Sequence, residues 1–133
     1  MGTLFIKYEE PTIRAFFSPE KRDRFVQLLG KANRRRDALK TLHHKITFDP
    51  KWSTSVDAKS DIGGLLRERG AGPKAYLIGT SRDQCILPLD EALVCVEREA
   101  GILVCQPGRL AYYRGEDGDR RFVLERGTPV HTP

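Results

Sequence analysis

Basic side chains crowd one short stretch of the sequence, between positions 21 and 45. Phosphate backbones attract clustered cations, because each phosphate that a cation neutralises releases condensed counterions. The stretch therefore predicts a nucleic-acid-binding surface, formed by Lys21, Arg22, Arg24, Lys31, Arg34, Arg35, Arg36 and Lys40. No zinc-finger spacing, RNP aromatic motif or helix-turn-helix accompanies these residues, so we expect contacts to the phosphate backbone rather than to base edges. The alternative interpretation is a solvated helix in a sequence that prefers arginine to lysine.

The charge of the chain is distributed unevenly. Residues 1–48 contain 11 basic and 5 acidic side chains, a net charge of +6, whereas residues 49–133 contain 12 basic and 13 acidic side chains, a net charge of −1. The positive charge therefore belongs to the amino-terminal third, which favours an anionic partner.

A nucleophile and a base are also present. Cys105 precedes a Pro-Gly turn, His43 or His44 can act as a base, and Asp49 or Asp83 can orient that base. This set predicts a hydrolase or transferase as an alternative function, although no nucleophile-elbow motif accompanies it. Adjacent histidines point apart in regular structure and no third ligand has motif spacing, so we expect neither a metal nor a cofactor.

The segment Gly79–Asp83 follows an apolar run and precedes a helical pattern. The backbone N–H groups of such a loop can hold a phosphate. Neither of the glycine-rich phosphate-binding motifs is present, however, so an ordinary connecting loop is the favoured interpretation.

A second contact surface is predicted near the carboxyl end, formed by Arg109, Tyr112, Tyr113 and Arg121. Neighbouring side chains of a strand point to opposite faces of a sheet, so we expect only one of the two tyrosines in the core. The other tyrosine, with arginines on the same face of the sheet, would contact a protein or a nucleic acid. This surface suggests a protein-interaction subunit, such as an immunity protein, an antitoxin or a regulatory partner, as a further alternative.

The elements that position these residues are clearest in the last third. Apolar runs at 102–105, 110–113 and 122–125 are separated by turn residues, which predicts a three-stranded antiparallel meander with 102–105 as a central strand. Leu89, Ala92, Leu93 and Val96 repeat at helical spacing behind Pro88 and predict a helix there. The remaining assignments are a helix from Ser18, a helix over 61–69 capped by Ser60, a buried strand over 75–78, an edge strand at Leu4–Ile6, and loops over 51–60 and 79–87. Residues 31–48 fit either a helix or a strand.

The pattern as a whole predicts an α+β fold with a mixed or antiparallel sheet and helices packed on one side. The 133 residues are 39% hydrophobic and 31% charged, which fits one globular domain. We expect a basic, mostly helical part over 1–48, a core over 61–126 and a frayed tail over 127–133. No long apolar run or signal-peptide pattern occurs, so we expect a cytoplasmic protein without membrane contact.

Two segments resemble a known family. One segment is similar to the carboxyl-terminal end of a family of small bacterial proteins of unknown function: Cys105-Gln106-Pro107-Gly108-Arg109-Leu110-Ala111-Tyr112-Tyr113, followed by Gly115-Glu116 and Leu124-Glu125-Arg126. The other segment that resembles this family is Pro88-Leu89-Asp90-Glu91-Ala92-Leu93. The resemblance covers the carboxyl-terminal half. It implies a bacterial globular domain and no particular site. The sequence thus favours a non-enzymatic binding or accessory module whose basic segment docks nucleic acid.

Overall fold

The structure, a computed structural model, describes residues 2–45, 48–116 and 120–127. The first third of the chain is helical. It contains a π-helical turn over Phe5–Glu9, α1 over Glu10–Phe16, a 3₁₀ turn over Pro19–Lys21, α2 over Arg22–Leu29 and α3 over Ala32–Lys45. The rest of the described chain forms β1 over Ser53–Ser55, α4 over Ile62–Glu68, β2 over Lys74–Ile78, β3 over Ile86–Pro88, α5 over Leu89–Glu99, β4 over Gly101–Gln106, β5 over Leu110–Arg114 and β6 over Arg121–Glu125.

The six described strands form one open sheet in the order β1-β6-β5-β4-β2-β3, and every pair is antiparallel. The predicted α+β class is therefore confirmed. The meander is confirmed as β4, β5 and β6, and β4 occupies an interior position because both of its faces are apolar. The antiparallel register joins Leu103 to Tyr112 and Tyr112 to Val123.

Helices cover both faces of the sheet instead of one. Tyr76, Ile102 and Tyr113 pack under the amino-terminal helices, in one hydrophobic cluster. The alternate residues, such as Leu103 and Tyr112, pack under α4 and α5 in a second cluster. The physical reason is the sequence of the central strands: side chains that are apolar on both faces need a cover on each side.

Several local assignments change. Leu4–Ile6 is not an edge strand, because the chain is helical from Thr3 onward and Pro11 lies within the first turn of α1. The loops predicted over 51–60 and 79–87 contain β1 and the start of β3. Both are three-residue edge strands, too short to show an alternation of apolar and polar residues in the sequence. The cap of α4 is Asp61, whose Oδ1 accepts the Gly64 N–H at 3.0 Å, rather than Ser60.

The ambiguous stretch after residue 31 is resolved as a helix. α3 runs to Lys45, and beyond it Phe48 forms an isolated bridge with Phe17. Positions 46–47, the turn at 117–119 and the predicted tail beyond Gly127 lie outside the described residues. Within the described ranges, none of the helices has the length and apolar character needed to cross a bilayer.

Candidate nucleic-acid interface

Helix α3 concentrates the basic residues. Its fourteen positions include five basic side chains and one acidic side chain. Ala38 and Leu42, one helical turn apart, are buried against the sheet at 3% and 0% exposure. This narrow apolar stripe anchors the helix, and the positions away from the stripe remain for charged side chains.

Arg35 lies on the edge of that stripe and is used internally. Its Nε donates to Asp83 Oδ2 at 2.8 Å, and its Nη2 donates to Asp83 Oδ1 at 2.9 Å and to Glu9 Oε2 at 3.0 Å. Its Nη1 donates to Glu9 Oε1 at 2.7 Å and to the Leu29 carbonyl oxygen at 3.0 Å. All five guanidinium N–H donors are thereby engaged. The structure therefore places Arg35 in the interior, with its donors directed at the protein's own carboxylates rather than at the predicted surface.

Glu9 completes this arrangement, which we call the Glu9–Arg35–Asp83 cluster. The Glu9 side chain is 0% exposed, and its Oε2 also accepts hydrogen bonds from the Tyr76 hydroxyl and, at 3.2 Å, from Gln84 Nε2. Burial, together with the hydrogen bond to Glu9, raises the pKa of Tyr76 above its ordinary value. The cluster joins the π-helical turn, α3, β2 and the β2–β3 loop, so it holds the helical layer to the sheet.

The charges in the cluster keep Arg35 protonated. Burial alone would lower the pKa of Arg35, but hydrogen bonds and charge attraction from Asp83 and Glu9 outweigh burial and raise it. The cluster contains two carboxylates and one guanidinium, and the second carboxylate, Asp83, is held in place by the Gly79 N–H at 2.8 Å.

Arg22 is also engaged by the protein itself. Its Nε donates to the Phe17 carbonyl oxygen at 2.8 Å, and its Nη2 lies 3.3 Å from Asp49 Oδ2. These two contacts hold the start of α2 against the segment that follows α3. Arg22 therefore leaves the predicted surface for the same reason as Arg35.

The other predicted cations remain at the surface. In the part of the chain that the structure describes, no salt bridge engages Lys21, Arg24, Lys31, Arg34, Arg36 or Lys40. All of them are exposed except Lys21, which is half-buried. They are therefore available to an external anion.

These cations do not share one face. At about 100° per residue, Arg34 and Arg36 are roughly 160° apart around α3, whereas Arg36 and Lys40 are roughly 40° apart. Arg36 and Lys40 lie together beside a groove of about 460 Å³ between α3 and the β2–β3 loop. Lys21 and Arg24 line a different depression, between α2 and α3. The structure thus brings together two separate pairs: Lys21 and Arg24, beside the carboxylate of Glu20, and Arg36 and Lys40, at the groove on α3.

The groove has a mixed lining. Arg36 and Lys40 supply positive charge, Leu39 supplies apolar surface, and Thr80 and the carboxylate of Asp83 supply polar atoms. No pattern in the sequence indicated that residues 79–83 would face α3, because at least 34 positions separate the two segments. Only the packing of the helical layer on the sheet creates this groove.

The predicted contact surface near the carboxyl end does not exist as a surface. Tyr112 and Tyr113 are both 0% exposed, so the expectation that only one of them is in the core is wrong. The Tyr113 hydroxyl donates to the Leu42 carbonyl oxygen at 2.8 Å, and the Tyr112 hydroxyl donates to Glu97. Each tyrosine lies under its own layer of helices, because both faces of the sheet are covered.

The arginines of that predicted surface are internal as well. Arg121 is 9% exposed and its Nη2 lies 3.2 Å from Glu97, while Arg109 Nη1 lies 3.5 Å from Glu125. The two guanidinium groups brace the sheet against its neighbouring elements. The four residues of the predicted contact surface thus pack against other parts of the protein.

The candidate nucleophile is not activated. Burial raises the pKa of the Cys105 thiol to about 12, against a smaller opposing effect of Arg109. A catalytic cysteine reacts as the thiolate, which requires the opposite shift. Asp49 and Asp83, the proposed orienting groups, pair with arginines. The side chains of His43 and His44 lie outside what the structure describes.

The loop Gly79–Asp83 does not form a phosphate cradle. The Gly79 N–H donates to the Asp83 side chain at 2.8 Å, and the Ser81 N–H donates to Glu99 Oε1 at 2.8 Å. These donors are thus satisfied by the protein. Across the described residues, no group of three or more His, Cys, Asp or Glu side chains is placed to hold a metal ion.

Comparison of the chain with protein-family models, with curated proteins and with solved structures finds no match. The resemblance of the carboxyl-terminal half to small bacterial proteins stays a prediction.

Proposed function

We propose that this protein is a non-enzymatic binding module that docks nucleic acid through the exposed cations of α3. The observation that carries the proposal is the pair Arg36 and Lys40, which flank a groove and form no salt bridge within the described residues. Arg34, on the other side of the helix, adds a third cation. A group of cations without internal partners favours an anionic ligand, because each phosphate contact releases condensed counterions.

Binding through these cations should weaken steeply as the salt concentration rises. Each cation that neutralises a phosphate adds about 0.9 to the slope of log affinity against log salt for a duplex, and about 0.7 for a single strand. Loss of Arg34, Arg36 and Lys40 should therefore make the slope shallower by about 2–3. Over the fourfold range from 50 to 200 mM salt, that difference corresponds to a factor of about 20–40 in affinity.

Fluorescence anisotropy with labelled 20-nucleotide DNA and RNA, single-stranded and duplex, tests the proposal. The variant Arg34→Gln/Arg36→Gln/Lys40→Gln should bind more weakly at 50 mM salt and show the shallower slope. The matched control removes three exposed cations elsewhere: Lys59→Gln, Lys74→Gln and Arg98→Gln. It changes the net charge by the same amount but should keep most of the affinity.

Two results contradict the proposal. One is the absence of measurable binding to any of these probes at 50 mM salt. The other is an equal loss in the two triple variants, which would assign the attraction to net charge rather than to α3.

A further inference from the structure

The exposed face of α3 is positive at its edges and not at its centre. Arg34 and Arg36 lie roughly 160° apart around the helix axis, and the exposed Asp37 lies on the arc between them. A ligand that meets this face broadside therefore encounters a carboxylate at its middle. A ligand that enters from the side of the groove encounters Arg36 and Lys40 together.

This arrangement discriminates between stiff and flexible polyanions. A duplex is nearly straight over about 150 base pairs and would meet α3 along its exposed face, where the carboxylate of Asp37 lies between the cations. A single strand turns at every nucleotide and can place two phosphates at one edge of α3. Charge density alone would favour the duplex, so a preference for single strands must come from shape.

The groove offers a place for one unstacked base. Its volume of about 460 Å³ lies within the range of small-molecule sites. Leu39 and the planar guanidinium of Arg36 provide surfaces on which a base can lie, and arginine planes are used in this way in single-stranded recognition. Lys40, beside them, is placed for a flanking phosphate.

Asp83 adds a chemical preference. Of the roughly four acceptor positions of a carboxylate, two are filled by Arg35 and one by the Gly79 N–H. Asp83 lines the groove and its side chain is a quarter exposed, so the remaining acceptor position can receive a further donor. Adenine and cytosine carry exocyclic amino donors, whereas thymine presents a carbonyl oxygen at the corresponding position.

We infer that the ligand is single-stranded nucleic acid, with one unstacked, amino-bearing base in the groove between α3 and the β2–β3 loop and its phosphates on Arg36 and Lys40. This inference rests on the proposed function and narrows its ligand. A free nucleotide shares the same chemistry, so the experiment separates the strand from the nucleotide.

The test compares single-stranded 20-mers of dA, dC and dT with a mixed-sequence duplex of the same length at 100 mM salt. The wild-type protein should bind dA or dC at least about tenfold more tightly than the duplex, because an unstacked base can lie in the groove. It should also bind dA and dC more tightly than dT, because thymine offers no amino donor to Asp83. Ala32→Leu places an aliphatic side chain into the groove without removing a cation and should reduce single-strand affinity about tenfold. Asn33→Leu, at the next exposed position and outside the groove lining, is the matched control and should bind as the wild type does.

Three outcomes overturn the inference. If the duplex binds as tightly as the single strands and Ala32→Leu has no effect, no base binds in the groove, while the proposed docking of nucleic acid by α3 still stands. Displacement of the strand by micromolar AMP identifies a free nucleotide as the ligand. Absence of binding to every probe removes the proposed function together with the inference.

Discussion

Replacement of Arg35 by methionine tests the central packing feature of the molecule. The substitution keeps an unbranched apolar stem that reaches about as far as Nε, but it removes the guanidinium group with its five N–H donors and the only positive charge in the Glu9–Arg35–Asp83 cluster. Glu9, at 0% exposure, would be left buried beside a second carboxylate that is a quarter exposed. Removing one partner of a buried ion pair lowers the free energy of unfolding by about 3–5 kcal/mol, because the other charge stays buried without compensation. Because Asp83 can regain water, we expect a loss near the lower end, about 3 kcal/mol in the free energy of unfolding.

That loss is large compared with the stability of a typical domain, about 5–15 kcal/mol. With an unfolding entropy of about 2.1 cal/mol/K per residue, it corresponds to a decrease in Tm of about 10 °C. Urea unfolding followed by circular dichroism measures the change, provided that the slope of the free energy against urea is unaltered.

Arg34→Met is the matched control, because Arg34 is the preceding residue on the same helix and is exposed. It should change the free energy of unfolding by no more than about 0.5 kcal/mol. Glu9→Gln keeps the shape of the acid and should cost about 1–3 kcal/mol, which preserves a measurement if Arg35→Met does not fold. Values for Arg35→Met and Arg34→Met within 1 kcal/mol of each other would refute the buried cluster.

Three further predictions concern glycine geometry, thiol reactivity and alkaline stability. Gly101→Ala should lower the free energy of unfolding by about 2 kcal/mol or more, because Gly101 has φ +138° and a Cβ there would lie 2.5 Å from the Ile78 carbonyl oxygen; Gly72→Ala, with open space around it, should change the urea midpoint little. Iodoacetamide at pH 7.5 should label Cys105 far more slowly in the native protein than in urea, as read by mass spectrometry of its peptide, and equal rates would contradict the burial of its thiol. Burial raises the pKa of both Cys105 and Tyr76, so the folded protein retains protons that the unfolded chain loses from about pH 8.5 for cysteine and about pH 10 for tyrosine. The contribution of these two groups to the free energy of unfolding should therefore be complete below about pH 8.5 and decrease as the pH rises towards 12. A free energy of unfolding that stays constant from pH 8 to 11 would count against these pKa shifts.

Local patterns in the sequence were enough to predict four strands of the sheet, β2, β4, β5 and β6, and the helix α5. The meander was predicted because its apolar runs and turn residues are contiguous, and α5 was predicted because Leu89, Ala92 and Val96 repeat at helical spacing. The second layer of helices was missed, since a strand that is apolar on both faces predicts burial without saying what covers each face. Both Tyr112 and Tyr113 are buried for this reason.

The fate of Arg34, Arg35 and Arg36 shows what only the tertiary structure decided. The sequence by itself determined that these three cations are adjacent and that the amino-terminal third carries the positive charge. It did not determine that the middle one turns inward, because the carboxylates that receive it lie 26 and 48 positions away in the chain. Helical geometry separates neighbouring side chains by about 100°, so one arginine reaches Glu9 and Asp83 while its neighbours face solvent. Composition is a property of the chain, whereas exposure depends on long-range contacts that form only when the helical layer packs on the sheet.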